Sequence, residues 1–132
     1  MKKVDHIGIA VRDLKEVLPY YTETLGCPLL KIEEVSSEKV RVAFIDAGNI
    51  KLELLEPLDD TSAISKFIEK KGEGIHHIAF GVENIEKRME ELREKGVRLL
   101  NEQPKAGAGG ALVSFLHPKS SNGVLYELCE KQ

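Results

Sequence analysis

The chain has 132 residues, of which 42% are hydrophobic and 31% charged, and its formal net charge is −3. This composition is typical of a globular protein made of one domain or two small halves. The 19 basic residues are scattered among 22 acidic ones, so no positive stripe for nucleic acid is present. No apolar run is long enough to span a bilayer and no targeting segment is visible, so we expect a cytoplasmic protein that binds no membrane.

The first predicted element is a strand in VDHIGIAV, residues 4–11, where bulky apolar residues alternate with His6 and small residues. A helix is expected after Asp13, a good N-cap, and it should end at Gly26, which tolerates the left-handed conformation. Three strands then follow in PLLKI, KVRVAFIDAG and IKLELLEP. The pattern therefore predicts a strand, a helix and three further strands over about residues 3–57.

A helical connector is predicted over about residues 60–72, and the same order of elements then repeats over about residues 74–130. IHHIAFGV matches the first strand, with His77 lying 71 residues after the first histidine, while Asn84 and Gly96 supply the helix cap and stop. Strands are expected in VRLL, ALVSFL and GVLYEL. We therefore predict an α+β fold of two tandem β-α-β-β-β modules with curved mixed sheets, packed as one body.

Each half carries one histidine on a strand face otherwise built of glycine and alanine, and one glutamate in its last strand. These residues are His6, Glu53, His77 and Glu127. Alternation leaves a hollow beside each histidine, and a carboxylate within an apolar strand is costly without a partner. Two imidazoles and two carboxylates suit a divalent transition metal such as Co²⁺, Zn²⁺, Mn²⁺ or Fe²⁺. A lone strand histidine is more often structural, and that is the role we expect for His76. The recurrence of a histidine and a glutamate at equivalent positions in both halves favours a metal site instead.

Several stretches resemble a known family. The duplicated module with this ligand set resembles the vicinal oxygen chelate superfamily, which includes glyoxalases, extradiol dioxygenases and bleomycin resistance proteins. Residues 55–85 and 104–128, together with DHIGIAVRDL near the start, resemble methylmalonyl-CoA epimerases over nearly the whole chain. The more specific motifs are HHIAFGV, GAGG, and FLHPK followed by GVLYEL.

The resemblance implies metal-dependent interconversion of (R)- and (S)-methylmalonyl-CoA, an acyl-CoA substrate, by a homodimer. A proton would leave and return at the carbon between the thioester and the carboxylate, with Glu127 near the metal as one base. The identity of the second base is not determined, because some family members carry a glutamate in the strand matching KVRVAF, where this chain has Arg41. Glu38, a water or another residue would then serve. We expect Co²⁺ as the ion, with Zn²⁺, Mn²⁺ and Ni²⁺ as alternatives.

A glycine-rich stretch without acids follows in PKAGAGGALVSFLHPK. Composition favours a plain strand connection, since glycines usually mark turns and bulges. The resemblance raises the alternative of a mobile loop over the acyl group, in which Gly109, Gly110, Lys105 and Lys119 would contact the anionic parts of the CoA thioester.

Two other classes of function are also compatible with these sequence features. A glyoxalase-type isomerase or lyase, or a dioxygenase, would keep the fold and the metal; a two-histidine, one-carboxylate Fe²⁺ centre does not need a fourth ligand at Glu53. A metal-free protein that sequesters a drug or metabolite would need neither histidine–glutamate pair.

Overall fold

The computed structural model describes all 132 residues of the chain, Met1–Gln132. Its strands are β1 (Lys3–Ala10), β2 (Leu29–Val35), β3 (Val40–Asp46), β4 (Lys51–Pro57), β5 (Gly74–Gly81), β6 (Lys105–Ala106), β7 (Leu112–Leu116) and β8 (Tyr126–Glu130). Its α-helices are α1 (Leu14–Pro19), α2 (Ala63–Lys71) and α3 (Ile85–Glu94). None of these helices has the length and apolar character needed to cross a membrane.

The chain divides into two compact units. Residues 6–76 form one, called here the N-terminal unit, and residues 1–5 with 77–132 form the other, called the C-terminal unit. The division falls within β1 and within β5, so each of these strands begins in one unit and ends in the other.

The N-terminal unit is built on strands in the order β2-β3-β4-β1. β1 runs parallel to β4, whereas β2, β3 and β4 pair antiparallel in sequence order. One face of this sheet packs against α1 through a cluster that contains Leu14, Ala43, Ile45 and Leu54. Because side chains alternate along a strand, the residues between these core positions point to the opposite face.

The C-terminal unit repeats this arrangement with the order β5-β8-β7-β6. β5 runs parallel to β8, and the remaining neighbours are antiparallel. The face covered by α3 holds the buried cluster Val82, Ile85, Met89, Leu92, Leu116 and Leu128. A second, smaller cluster of Ala79, Ala111, Val113 and Cys129 includes small residues. The repeat seen in the sequence is therefore also a repeat of strand order and pairing direction.

Both predicted helix caps are confirmed. The Asp13 side chain accepts a hydrogen bond from the Lys15 N–H, and the Asn84 side chain accepts one from the Lys87 N–H. A helix start leaves four backbone N–H groups without partners in the helix, and these side chains satisfy one each. Gly26 and Gly96 follow the helices with φ of 72° and 87°, as a left-handed stop requires.

The sequence did not indicate a second cap that both units share. The Leu14 N–H donates to Glu56 Oε2 at 2.9 Å, and the Ile85 N–H donates to Glu130 Oε1 at 2.8 Å. Glu56 lies near the end of β4, which pairs with β1, and Glu130 lies at the end of β8, which pairs with β5. A carboxylate from the sheet thus anchors the first turn of each helix, where the helix dipole favours negative charge.

The first helix is shorter than its amphipathic pattern predicts. α1 ends at Pro19 and continues as a π-helical turn over Tyr20–Thr24, in which the Leu25 N–H donates to the Tyr20 carbonyl at 2.9 Å. Proline has no N–H to donate inside a helix, and its ring crowds the carbonyl four residues earlier, so the regular ladder is lost there.

The prediction of a strand at VRLL, residues 97–100, was wrong. Only an isolated bridge joins Leu99 to Leu116, and the strand that pairs regularly with β7 is the short β6. The reason is visible at Asn101, whose side-chain Oδ1 accepts the Phe115 N–H at 3.0 Å. A side chain there takes the place of a backbone acceptor, and the ladder is interrupted.

Glu130→Ala is expected to destabilise the chain by about 1 kcal/mol, because the Ile85 N–H loses its acceptor. Glu130→Gln is the matched control, since its amide oxygen can still accept that hydrogen bond. Urea unfolding measures both variants, and an alanine variant as stable as the glutamine variant would contradict the capping role.

Gly107→Ala is expected to cost about 1–3 kcal/mol of stability through overpacking. A Cβ atom at this position would lie 2.8 Å from Val113 Cγ1 and 3.1 Å from Cγ2, and Val113 is itself buried. Adding Val113→Ala should remove the clash, so the double variant should lose less than the two single losses added together. Strict additivity in thermal unfolding would show that this contact is not the cause.

Candidate metal and active site

The N-terminal unit places a histidine and a glutamate side by side on one face of its sheet. His6 Nδ1 lies 3.2 Å from Glu53 Oε2, and the side chains are only 4% and 7% exposed. β1 and β4 are parallel neighbours with Gly8 opposite Glu53, so the small residue leaves room for the carboxylate. This is the face away from α1, called here the His6 face.

The C-terminal unit has the equivalent pair. His77 Nε2 lies 3.2 Å from Glu127 Oε1, and each side chain is 6% exposed. Ala79 stands opposite Glu127 in the parallel β5–β8 ladder, as Gly8 stands opposite the first glutamate. The alternation expected from the sequence therefore holds in both units: histidine and glutamate share a face on which the neighbouring strand residue is small.

The geometry of each pair fits a shared metal ion. Ligand atoms that each lie about 2.1 Å from one ion are about 3.0 Å apart at a right angle and about 3.4 Å apart at a tetrahedral angle. The separation of 3.2 Å in both pairs falls between these values. Imidazole nitrogen and carboxylate oxygen are also ligands that a divalent transition metal accepts.

A phenylalanine stands beside each glutamate, a feature that the sequence analysis missed. Phe44 is the cross-strand partner of Glu53, and Phe115 is the cross-strand partner of Glu127. The Phe115 ring also meets the His77 ring edge to face, with centroids 5.6 Å apart. The signal was present, since the two phenylalanines are separated by the same 71 residues as the histidines.

A lysine covers each phenylalanine. Lys31 Nζ lies 5.2 Å from the centroid of the Phe44 ring, and Lys105 Nζ lies 5.7 Å from that of the Phe115 ring. Both distances are within the range of cation–π attraction. Of the lysines expected to meet an anionic substrate, Lys105 is thus held on the face of its unit that carries a histidine–glutamate pair.

The other residues of the expected substrate loop lie in turns. Gly109 and Gly110 adopt φ of 71° and 75° within a 3₁₀ turn over Ala108–Gly110. Lys119 is exposed in a second 3₁₀ turn, where its N–H donates to His117 Nδ1 at 3.0 Å. The structure shows a glycine-dependent loop here, and contact with a substrate remains a prediction.

His76 has the structural role that we expected. Its ring packs edge to face against Phe67 of α2, with centroids 5.0 Å apart. Although it neighbours His77 in sequence, alternation along β5 turns the two rings to opposite sides of the strand.

Arg41 points away from the His6 face. Its guanidinium donates to Glu56 Oε1 at 2.7 Å and to Glu34 Oε2 at 3.0 Å, and the hydrogen bond with Glu34 raises the pKa of Arg41 above its usual value. Glu38 is half-buried and ends the 3₁₀ turn Ser36–Glu38 between β2 and β3. Arg41 therefore does not occupy the place of a catalytic acid on the His6 face.

Comparison with known proteins identifies the family. Residues 5–115 match the family model described as Glyoxalase/Bleomycin resistance protein/Dioxygenase superfamily. The chain is 45% identical to "Uncharacterized protein YqjC" of Bacillus subtilis, covering 98% of this chain and 93% of that one. It is 43% identical to "Ethylmalonyl-CoA/methylmalonyl-CoA epimerase" of Cereibacter sphaeroides, covering 96% of both.

A solved structure agrees with these matches. A variant of the methylmalonyl-CoA epimerase of Streptomyces coelicolor, in complex with 2-nitronate-propionyl-CoA, superposes with a TM-score of 0.93 at 39% identity, covering 99% of this chain and 98% of that one. The predictions of an α+β glyoxalase-like fold and of a likeness to methylmalonyl-CoA epimerases are confirmed. The chain belongs to the glyoxalase/bleomycin resistance protein/dioxygenase superfamily.

Proposed function

We propose that this chain is an enzyme that interconverts the (R) and (S) forms of methylmalonyl-CoA. The observation that carries the proposal is the pair of equivalent, buried histidine–glutamate contacts, each with ligand atoms 3.2 Å apart. Relatives that cover nearly the whole chain are named methylmalonyl-CoA epimerases, and one such structure holds methylmalonyl-CoA itself. A protein that merely sequesters a metabolite has no need of two such pairs.

His6, Glu53, His77 and Glu127 would hold one divalent ion, with Co²⁺ expected first and Zn²⁺, Mn²⁺ or Ni²⁺ as alternatives. The repeat supports this assignment, because both units offer the same two ligands at matching positions. Each unit then supplies half of the ligand set.

The chemistry follows from the substrate. When bound, the ion supplies a positive charge that stabilises negative charge on the thioester oxygen. Glu127 would move the proton: its carboxylate accepts the proton from the carbon between the thioester and the carboxylate, and the C–H electron pair passes into the enolate. A second acid returns a proton to the opposite side of that carbon. No electron is gained or lost, and the product is the mirror-image centre; Glu38 is the acid that the sequence suggested for this second step.

The glycine-rich loop would contact the rest of the substrate. Lys105, Gly109, Gly110 and Lys119 are the residues proposed to meet the anionic parts of the CoA thioester. The position of Lys105 over Phe115 supports this, because its ammonium lies on the same face as the His77–Glu127 pair. Backbone N–H groups at two positive-φ glycines can form an anion-binding concavity.

The wider setting is proposed from the family. We expect a cytoplasmic homodimer in which residues 3–57 and 74–130 act as the two modules of one catalytic domain, joined by the connector at 60–72. A dimer would be seen by light scattering of the purified chain. A monomeric mass would contradict the expected dimer.

The chain is expected to bind one divalent ion. His77→Ala removes a ligand, so it should weaken that binding by at least the roughly 100-fold that loss of a ligand's hydrogen-bond partner can cost. His76→Ala is the matched control, since that neighbouring ring packs against Phe67. Titration with Co²⁺, followed by calorimetry and visible absorption, measures both. Equal affinities in the two variants would contradict the ligand assignment.

Incubation with (S)-methylmalonyl-CoA in D₂O should introduce deuterium at the carbon between the two carbonyl groups and produce the (R) form. EDTA should stop the exchange, and Co²⁺ should restore it. Glu127→Gln should lower the rate by about 100-fold or more, as loss of a general base does. Mass spectrometry follows the label; exchange that EDTA leaves untouched would refute metal-dependent epimerisation.

A further inference from the structure

The His6 face of the N-terminal unit carries carboxylates besides Glu53 that have no role in the function proposed above. Glu53 pairs across β3–β4 with Phe44, and Lys31 of β2 pairs with Phe44 on the other side. Paired residues on neighbouring strands share a face, so Lys31, Phe44 and Glu53 form one row across three strands. The cation–π contact between Lys31 and the Phe44 ring agrees with this register.

Glu33 lies on the same face, two residues beyond Lys31 on β2. It stands opposite Val42, which in turn stands opposite Leu55 on β4. Its side chain is 33% exposed and forms an ion pair of 3.8 Å with Lys31. A carboxylate that is accessible, yet held over a buried valine beside the Phe44–Glu53 row, can approach a molecule bound on this face.

The other acids of these strands lie on the opposite face or in a turn. Glu34 and Glu56 lie on the opposite face, where both bind Arg41 and Glu56 also caps α1. Asp46 shares the face of Phe44 but accepts the Gly48 N–H at 2.7 Å in the turn that ends β3. Apart from the proposed metal ligand, Glu33 is the strand carboxylate on the His6 face whose position suits proton transfer.

The strand register also shows which of Glu33 and Glu38 lies nearer to Glu53 along the sheet. Through Val42, Glu33 is in register with Leu55 of β4. Leu55 lies two residues, or about 7 Å, along β4 from Glu53. Glu38 precedes Val40, whose level is that of Pro57, four residues or about 13 Å from Glu53. The acid suggested by the sequence therefore lies farther along the sheet from the proposed metal ligand.

We propose that Glu33 is the second proton-transfer residue of the epimerase, an assignment that rests on the function proposed above. Glu127 would take the proton from one side of the carbon between the two carbonyl groups, and the protonated Glu33 would form the new C–H bond on the other side. In the reverse direction the two carboxylates exchange these tasks. Lys31, which forms an ion pair with Glu33, also lies over the Phe44 ring beside the proposed acid.

Glu33→Gln tests the assignment. Glu34→Gln is the matched control, and Glu38→Gln tests the competing acid. Each purified epimer of the substrate is incubated separately in D₂O with the Co²⁺-loaded enzyme, and inversion and deuterium uptake are followed together. Glu33→Gln should lower inversion by about 100-fold or more. In Glu33→Gln, the epimer whose proton Glu127 removes should still take up deuterium, whereas the other epimer should not. The Co²⁺ affinity should stay unchanged.

The outcomes separate the two proposals. Wild-type protein that exchanges neither epimer would refute the epimerase function itself. Given an active wild type, normal inversion in Glu33→Gln, or equal loss of exchange with both epimers, would overturn the role of Glu33. The one-sided pattern appearing in Glu38→Gln would assign the second step to that residue instead. Normal kinetics in Glu34→Gln show that charge loss on β2 alone has no effect.

Discussion

The buried contact between an imidazole and a carboxylate, made once in each unit, is the constraint on which the remaining structure depends. An ionised glutamate in an apolar strand is costly unless a partner compensates it. In both units the partner is a histidine, on the strand parallel to that of the glutamate, at 3.2 Å. The small residues Gly8 and Ala79 opposite the glutamates are explained by the same contact, because a larger side chain would fill the space.

The strand that carries each glutamate also fixes a helix. Three residues after Glu53 comes Glu56, and three residues after Glu127 comes Glu130. An odd spacing on a strand sends the two side chains to opposite faces. One carboxylate therefore faces the proposed metal, while the other binds the first N–H of the helix behind the sheet. One strand in each unit therefore positions both the helix and the proposed metal ligand.

The two units differ where their outer strands lie. β2 has seven residues and offers Lys31 and Glu33 to the His6 face, whereas β6 has two residues and is followed by the glycine-rich turn. The inner strands carry the histidine and the glutamate of each unit at matching positions. The outer strands differ in length, and the N-terminal one holds the acid to which we assign the second proton transfer.

The sequence by itself determined the repeat, the helix caps, the fold class and the histidine and glutamate of each pair, because these follow from local periodicity and from spacing along the chain. The roles of Phe44 and Glu33 needed the tertiary structure, since cross-strand register decides which distant residues face each other. Asn101 shows the same limit: its side chain replaces a backbone acceptor of β7, and only the folded chain brings that N–H to it. Alternation gives a residue its face, but pairing with a neighbouring strand gives it a partner.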